Sequence, residues 1–360
     1  MSNRQLAFIL FGIMFGYGSI GLPKALAENA ATGGWVSILI ATLLALISTT
    51  ILVYLGMTHQ NKTFYDYSKE LSEKYTATIL TLLYIVFMFI MFTLINKLSS
   101  DVFKQTILRN TPNWALITVF LITAYYAVIK GIDTIARLCE VYGLIIILFG
   151  VVIHFIAFTQ GDLIRMQPFF VAEDLANYFD GAIKAKLAFS GMAIFSAIPF
   201  IKKQNHTIYI YSAMMLLLIA MLYIIQFESS IAVMGIDSIV FYRDALFTAI
   251  RRVDVPSLQF LRRLDAIFII SFIISIFLNI TLFVYGTVFH LSKLLPKVSF
   301  RLLAFAVLSL SFLVCQLPMS FDEGANLLET ASLAGGLILN PVNLILLLLS
   351  KVKKSDKKVC

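Results

Sequence analysis

The sequence is poor in charge. Only 13% of its 360 residues are Asp, Glu, Lys or Arg, while 60% are hydrophobic and the mean hydropathy is +0.90. A soluble core of this size needs far more polar surface, which excludes a soluble globular protein. Cysteine is scarce too. Cys139, Cys315 and Cys360 stand far apart with no CxxC or metal-ligand spacing, so a disulfide framework or zinc module is excluded. His59, His154, His206 and His290 are scattered, and no phosphate loop or nucleophile–base arrangement is present. No enzyme activity, metal or cofactor is expected. Period-two alternation is absent as well, which excludes a membrane β-barrel.

What remains is long apolar runs. Stretches of fifteen residues or more without Asp, Glu, Lys or Arg cover 5–23, 29–61, 75–96, 110–129, 141–161, 187–201, 204–227, 266–292, 302–321 and 330–350. A run of about 20 apolar residues spans the hydrocarbon layer as a helix, because only a helix satisfies its own backbone there. The expectation is an all-α integral membrane protein of ten transmembrane helices in one domain over 1–360. The start "MSNRQLAFIL" has the look of a signal peptide, but Pro23-Lys24 stands where a cleavage site would be, so the segment is expected to stay as a helix.

The net charge of +8 does not imply nucleic-acid binding, because the basic residues sit in short loops. With the N-terminus inside, 16 of the 28 Lys and Arg residues fall on the inner side, which nets +10 against −2 outside. This bias predicts both termini in the cytoplasm. The tail 351–360 reads as a disordered basic anchor, and 58–74 reads as an inner surface helix from the spacing of Phe64, Tyr67 and Leu71. Residues 160–182 read as an outer loop before a sixth helix at 183–202, and 235–262 as an outer amphipathic helix.

Two spans carry weak points. The first holds Gly16-Tyr17-Gly18-Ser19-Ile20-Gly21, followed by Leu22-Pro23-Lys24, where the half-helix is expected to restart. The sixth run, 187–201, is the shortest, with Ser190-Gly191 inside it and Pro199 near its end. Glycines in membrane helices often mark close packing. Interruptions at matching positions of two halves also mark inverted-repeat transporters, whose unwound backbone binds the ligand. The repeats would cover about 4–159 and 178–350. Arg137 and Glu140, three apart on one helix face, read as a structural ion pair or part of an inner gate. Glu228 is an intramembrane functional candidate, whereas His154 reads as a packing residue. Asn279, Thr281 and Tyr285 suit either cross-helix hydrogen bonding or cavity lining.

Three stretches carry a resemblance: "GYGSIGLPKALAENAATGGW" from Gly16, "KGIDTIARLCEVYG" from Lys130 and "FLRRLDAIF" from Phe260. In order, they are similar to the B subunit of bacterial spore germination receptors, within the amino acid–polyamine–organocation transporter superfamily. The resemblance covers essentially the whole chain. It implies a LeuT-type 5+5 inverted repeat with discontinuous helices 1 and 6. It also implies a spore inner-membrane protein that senses a small germinant, usually an amino acid, with A and C partner subunits, the C subunit being a lipoprotein. A ligand between helices 1, 3, 6 and 8 would use backbone of Gly16, Tyr17, Gly18, Ser19 and Ile20. It would also use Phe189, Ser190, Gly191 and Met192, walled by Tyr84, Phe87, Met88 and Phe195. The "AFSGMAIFSAIPF" stretch has no carboxylate, so germinant identity does not carry over. A permease coupled to H⁺ or Na⁺, or a channel, remains open as an alternative.

Overall fold

The computed structural model describes residues 1–201, 206–242, 245–253 and 264–359, with the side chains of 264, 265 and 354–359 outside the description. Helix α1 (Asn3–Met14) starts in a capping box between Ser2 and Gln5. The chain then breaks over Phe15–Tyr17 and resumes as α2 (Gly18–Ala30). Helix α3 (Gly34–Thr58) returns. Helix α4 (Phe64–Leu71) is capped by Thr63 and Asp66 and buries Phe64, Tyr67, Ser68 and Leu71, one stripe of a helix lying against the bundle. Then come α5 (Lys74–Thr106), α6 (Asn113–Ile129) and α7 (Ile132–Gln160), with Gly131 at φ +87° turning the chain between the last two.

Helix α8 (Leu175–Ala185) runs into a 3-10 segment, Lys186–Ala197. The remaining helices are α9 (Thr207–Met234), α10 (Ile236–Ile239), α11 (Ala245–Arg251), α12 (Leu264–Leu294), α13 (Phe300–Cys315) and α14 (Phe321–Val359). Among the described residues, six helical stretches are long and apolar enough to cross a membrane, and α6 and α13 are shorter apolar helices. Helix α12 packs on α5 and α7, α14 on α5, and α1 is enclosed by α9, α7, α12 and the 3-10 segment. The broken elements thus sit at the centre. Leucines and isoleucines such as Leu43, Leu44, Ile47 and Leu148 face outward, as lipid contact requires.

Several expectations need correction. Residues 175–182, read as the end of a loop, belong to α8, which starts at Leu175 rather than at 183. Its charges, Asp180 and Lys184, mask a helix face that buries Tyr178, Gly181, Ala182 and Ala185. Helix 1 resumes at Gly18 rather than at Leu22, so Pro23 lies inside α2. The tail is not a separate disordered anchor: α14 continues through it to Val359, where no Gly or Pro interrupts the helix. Arg137 and Glu140 form no ion pair. Glu140 turns toward α1 and pairs with Arg4, while Arg137 is exposed. The expected outer helix over 235–262 becomes the short α10 and α11. Residues 243–244 and 254–262 of it, and the first four residues of "FLRRLDAIF", lie outside the described residues.

Candidate functional site

A broken helix leaves backbone groups without intrahelical partners, and here neighbouring side chains take them up. Asn279 Nδ2 of α12 donates to the Ile13 carbonyl (2.5 Å), Tyr223 Oη of α9 to Met14 (2.8 Å), and Ser275 Oγ of α12 to Phe15. Ser19 closes the turn, its hydroxyl (2.7 Å) and N–H (3.0 Å) both donating to the Gly16 carbonyl. One further carbonyl is freed by sequence alone. Pro23 has no N–H to give Ser19, four residues earlier, and Gln226 Nε2 donates to that oxygen at 2.5 Å. Helices α9 and α12 therefore hold the break in place.

The two interrupted segments touch. A methyl on Gly18 would come within 2.8 Å of the Ala188 Cα, and one on Gly191 within 3.0 Å of the Ile13 carbonyl carbon. Only glycine permits this approach. The 3-10 geometry of 186–197 extends over 12 residues, where runs beyond about four are uncommon and mark hinges or strain.

Three cavities adjoin this junction. A vestibule of about 380 Å³ lies between α2, α8 and the first turns of α14, floored by Tyr17, Gly18 and Ile20. Its charged lining includes the pairs Lys24–Glu28 (3.7 Å) and Lys184–Glu329 (2.5 Å). A narrow cavity of about 20 Å³ between α3, α5, α14 and the 3-10 segment is lined by Tyr84, Phe87, Lys186, Ser190, Met192 and Ser332. A third of similar size holds Ser19, His154, Gln226 and Ser275.

Against this geometry the comparisons with known proteins can be set. Residues 1–323 match the family model described as spore germination protein, the spore permeases. The chain belongs to that family. This spore germination protein is 22% identical to spore germination protein YndE of Bacillus subtilis (strain 168), over 99% of this chain and 98% of that one. It is 21% identical to spore germination protein A2 of the same organism over 81% and 80% of the two chains, and 25% identical to B2 over 56% and 55%. Among solved structures, the crystal structure of MhsT in complex with L-phenylalanine superimposes with a TM-score of 0.66 at 14% identity, covering 93% of this chain and 87% of that one. The chain thus has a LeuT-like fold and is a multi-pass, transporter-like membrane protein.

The residues singled out from the sequence are brought into one region but not into one cavity. Tyr17, Gly18 and Ile20 face the vestibule, Tyr84, Phe87, Ser190 and Met192 the narrow cavity, and Ser19 the third. Gly16 packs on Asn279, Gly191 on Ile13, and Met88 on Gly286. Phe189 stacks edge-on against Tyr223 at 5.6 Å, and Phe195 against Phe200 at 5.9 Å. These five line none of the three cavities. His154 is hydrogen-bonded to Ser229 (2.9 Å), in keeping with a packing role. Asn279 does bond across helices, whereas the Thr281 hydroxyl and both Glu228 carboxylate oxygens are buried without a partner among the described residues. Sequence reasoning missed Tyr223 and Gln226, whose signal was polar atoms three residues apart inside an apolar run. It did not single out Lys186, which bounds the charge-free run 187–201.

On the face carrying the N-terminus, described residues around α4 close the space beneath the breaks. Phe64 of α4 is wedged against Tyr84 (ring centroids 4.7 Å apart) and His290 (5.9 Å). His290 is hydrogen-bonded to Ser196 (2.9 Å), Asn61 donates to the Phe200 carbonyl (2.7 Å), and Lys353 donates to the Glu70 carbonyl (2.5 Å).

Proposed function

We propose that this chain is the membrane subunit of a spore germinant receptor that binds a small germinant, an amino acid, at the junction of its two broken helices. The vestibule admits the ligand, and the ligand parts α2, the 3-10 segment and α14. Partner A and C subunits read that movement. A ligand shifts such an equilibrium only through unequal affinity for the two states. Here the closed, tightly packed junction is one state and a ligand-filled junction the other. The reading includes ten spans in a 5+5 inverted repeat, placement in the spore inner membrane, and both termini in the cytoplasm. The face carrying the N-terminus is then the cytoplasmic one.

The observation that carries the reading is the vestibule itself, a space large enough to admit an amino acid, with Tyr17 and Gly18 of the helix-1 break in its lining. The similar crystal structure of MhsT holds L-phenylalanine, and relatives A2 and B2 are named as germination proteins, which supports the ligand class and the setting. The unpaired Glu228 carboxylate is the observation that favours a second reading, a permease coupled to an ion.

Gly21 provides a clean test. It lines the vestibule, and nothing lies within 4 Å of a Cβ placed there. Gly21→Trp adds an indole at the vestibule wall, starting from a Cβ that meets no neighbour. Saturable binding of a labelled L-amino acid to the purified chain in nanodiscs should be present in the wild type and lost in Gly21→Trp. Unchanged binding in the variant contradicts the site. Saturable accumulation of the same amino acid in proteoliposomes would replace the pure sensor with the permease.

A further inference from the structure

Helix α8 has 11 residues and rises about 16 Å, about half the hydrocarbon thickness of a bilayer. It delivers Lys186 to the depth of the helix breaks. A cation at such depth is costly and normally has a partner. Its near neighbour Lys184 has one, Glu329 at 2.5 Å. Lys186 makes neither an ion pair nor a hydrogen bond with any described residue. Its terminal carbon and amine lie against Gly336 of α14, in the space a Cβ there would occupy.

Ser332 is one turn earlier on the same face of α14. It is 1% exposed, its hydroxyl has no partner among the described residues, and it lines the same narrow cavity as Lys186. That cavity contains one cation, one unmet hydroxyl and no carboxylate. It is also continuous in position with the vestibule, because Glu329, Ser332 and Gly336 follow one stripe of α14 from one space to the next.

We propose that Lys186 and Ser332 form the anion subsite of the ligand pocket and select germinants that carry a carboxylate. The ammonium gives a charge-assisted hydrogen bond to one carboxylate oxygen and the serine hydroxyl donates to the group as well. A single cation in a space of about 20 Å³ suits a monoanionic carboxylate better than a phosphate dianion. The cavity as it stands holds one water-sized group. Carboxylate entry therefore parts α14 from the 3-10 segment, and this ties recognition to movement of the second broken helix. The inference rests on the ligand-binding reading above.

The test is equilibrium binding of the standard L-amino acids, and of their carboxamides, to the full chain in nanodiscs. Lys186→Gln removes the charge. Gly336→Ala keeps the charge but takes the space its amine occupies, and it serves if Lys186→Gln folds poorly. An amino acid that binds the wild type should lose about tenfold or more in affinity in either variant. Its carboxamide should bind wild type and Lys186→Gln equally weakly. If an amino acid binds the wild type and both variants alike, the subsite is wrong and the ligand-binding reading stands. If no amino acid binds the wild type, both fall together.

Discussion

Replacing Gln226 with leucine removes the donor that serves the Ser19 carbonyl while keeping a side chain of similar volume. That carbonyl has no N–H from residue 23, because residue 23 is proline, and Gln226 Nε2 lies 2.5 Å from it. A buried carbonyl left unpaired costs about 1–3 kcal/mol, and side-chain hydrogen bonds measured within membranes fall near or below the lower end of that range, so Gln226→Leu should cost about 1–2 kcal/mol. The context can be altered independently. Pro23→Ala restores an N–H that reaches the Ser19 carbonyl along α2. In that background Gln226→Leu should cost about half as much or less, since the oxygen then has a backbone partner. The assay is unfolding in mixed micelles of wild type, both single variants and the double variant, read as a double-mutant cycle. Equal cost of Gln226→Leu in both backgrounds refutes the argument that proline and glutamine act as a pair at the break.

Other consequences are testable in the same preparations. Gly18→Ala should destabilise by about 1–3 kcal/mol through overpacking on Ala188, and Gly21→Ala, in open space, should not; melting curves of the two variants decide. Phe64→Ala should cost about 3 kcal/mol or more and should raise the labelling rate of a cysteine introduced at Ser196, because a ring that helps close the space beneath the breaks is gone. Arg4→Gln should change stability by less than about 1 kcal/mol, the arginine being largely exposed, and it should leave Glu140 without its ion-pair partner. Combining it with Glu140→Gln should then add no further loss.

Helices α3, α5, α6, α7, α9, α12 and α13 were legible because apolar length alone dictates a helix wherever charge is absent. Helix α4 was legible from Phe64, Tyr67 and Leu71 at helical spacing. Helix α8 was not, because its polar face turns Lys184 toward the vestibule and so mimics a loop. The glycine cluster located the first break but not its limits. Those are set by Tyr223, Ser275 and Asn279, which lie more than two hundred residues away and capture the carbonyls of Ile13 to Phe15. Separation along the chain likewise hid the roles of Gly18 and Gly191, which serve close approach between the two broken segments in the closed junction. Arg137 and Glu140 show the limit of local spacing: a residue three positions along a helix competes with any stronger partner on the next one, and Arg4 of α1 takes Glu140.

The central claim is that a small molecule enters by the vestibule and lodges between the two breaks. A cryo-EM map of the full chain, bound to the L-amino acid that stabilises it most, tests this directly. The account predicts ligand density between Tyr17–Gly18 and Lys186–Ser190, with α14 displaced from the 3-10 segment. Density elsewhere, for example in the apolar groove between α6 and α13, with the junction as tightly closed as in the ligand-free chain, would contradict it.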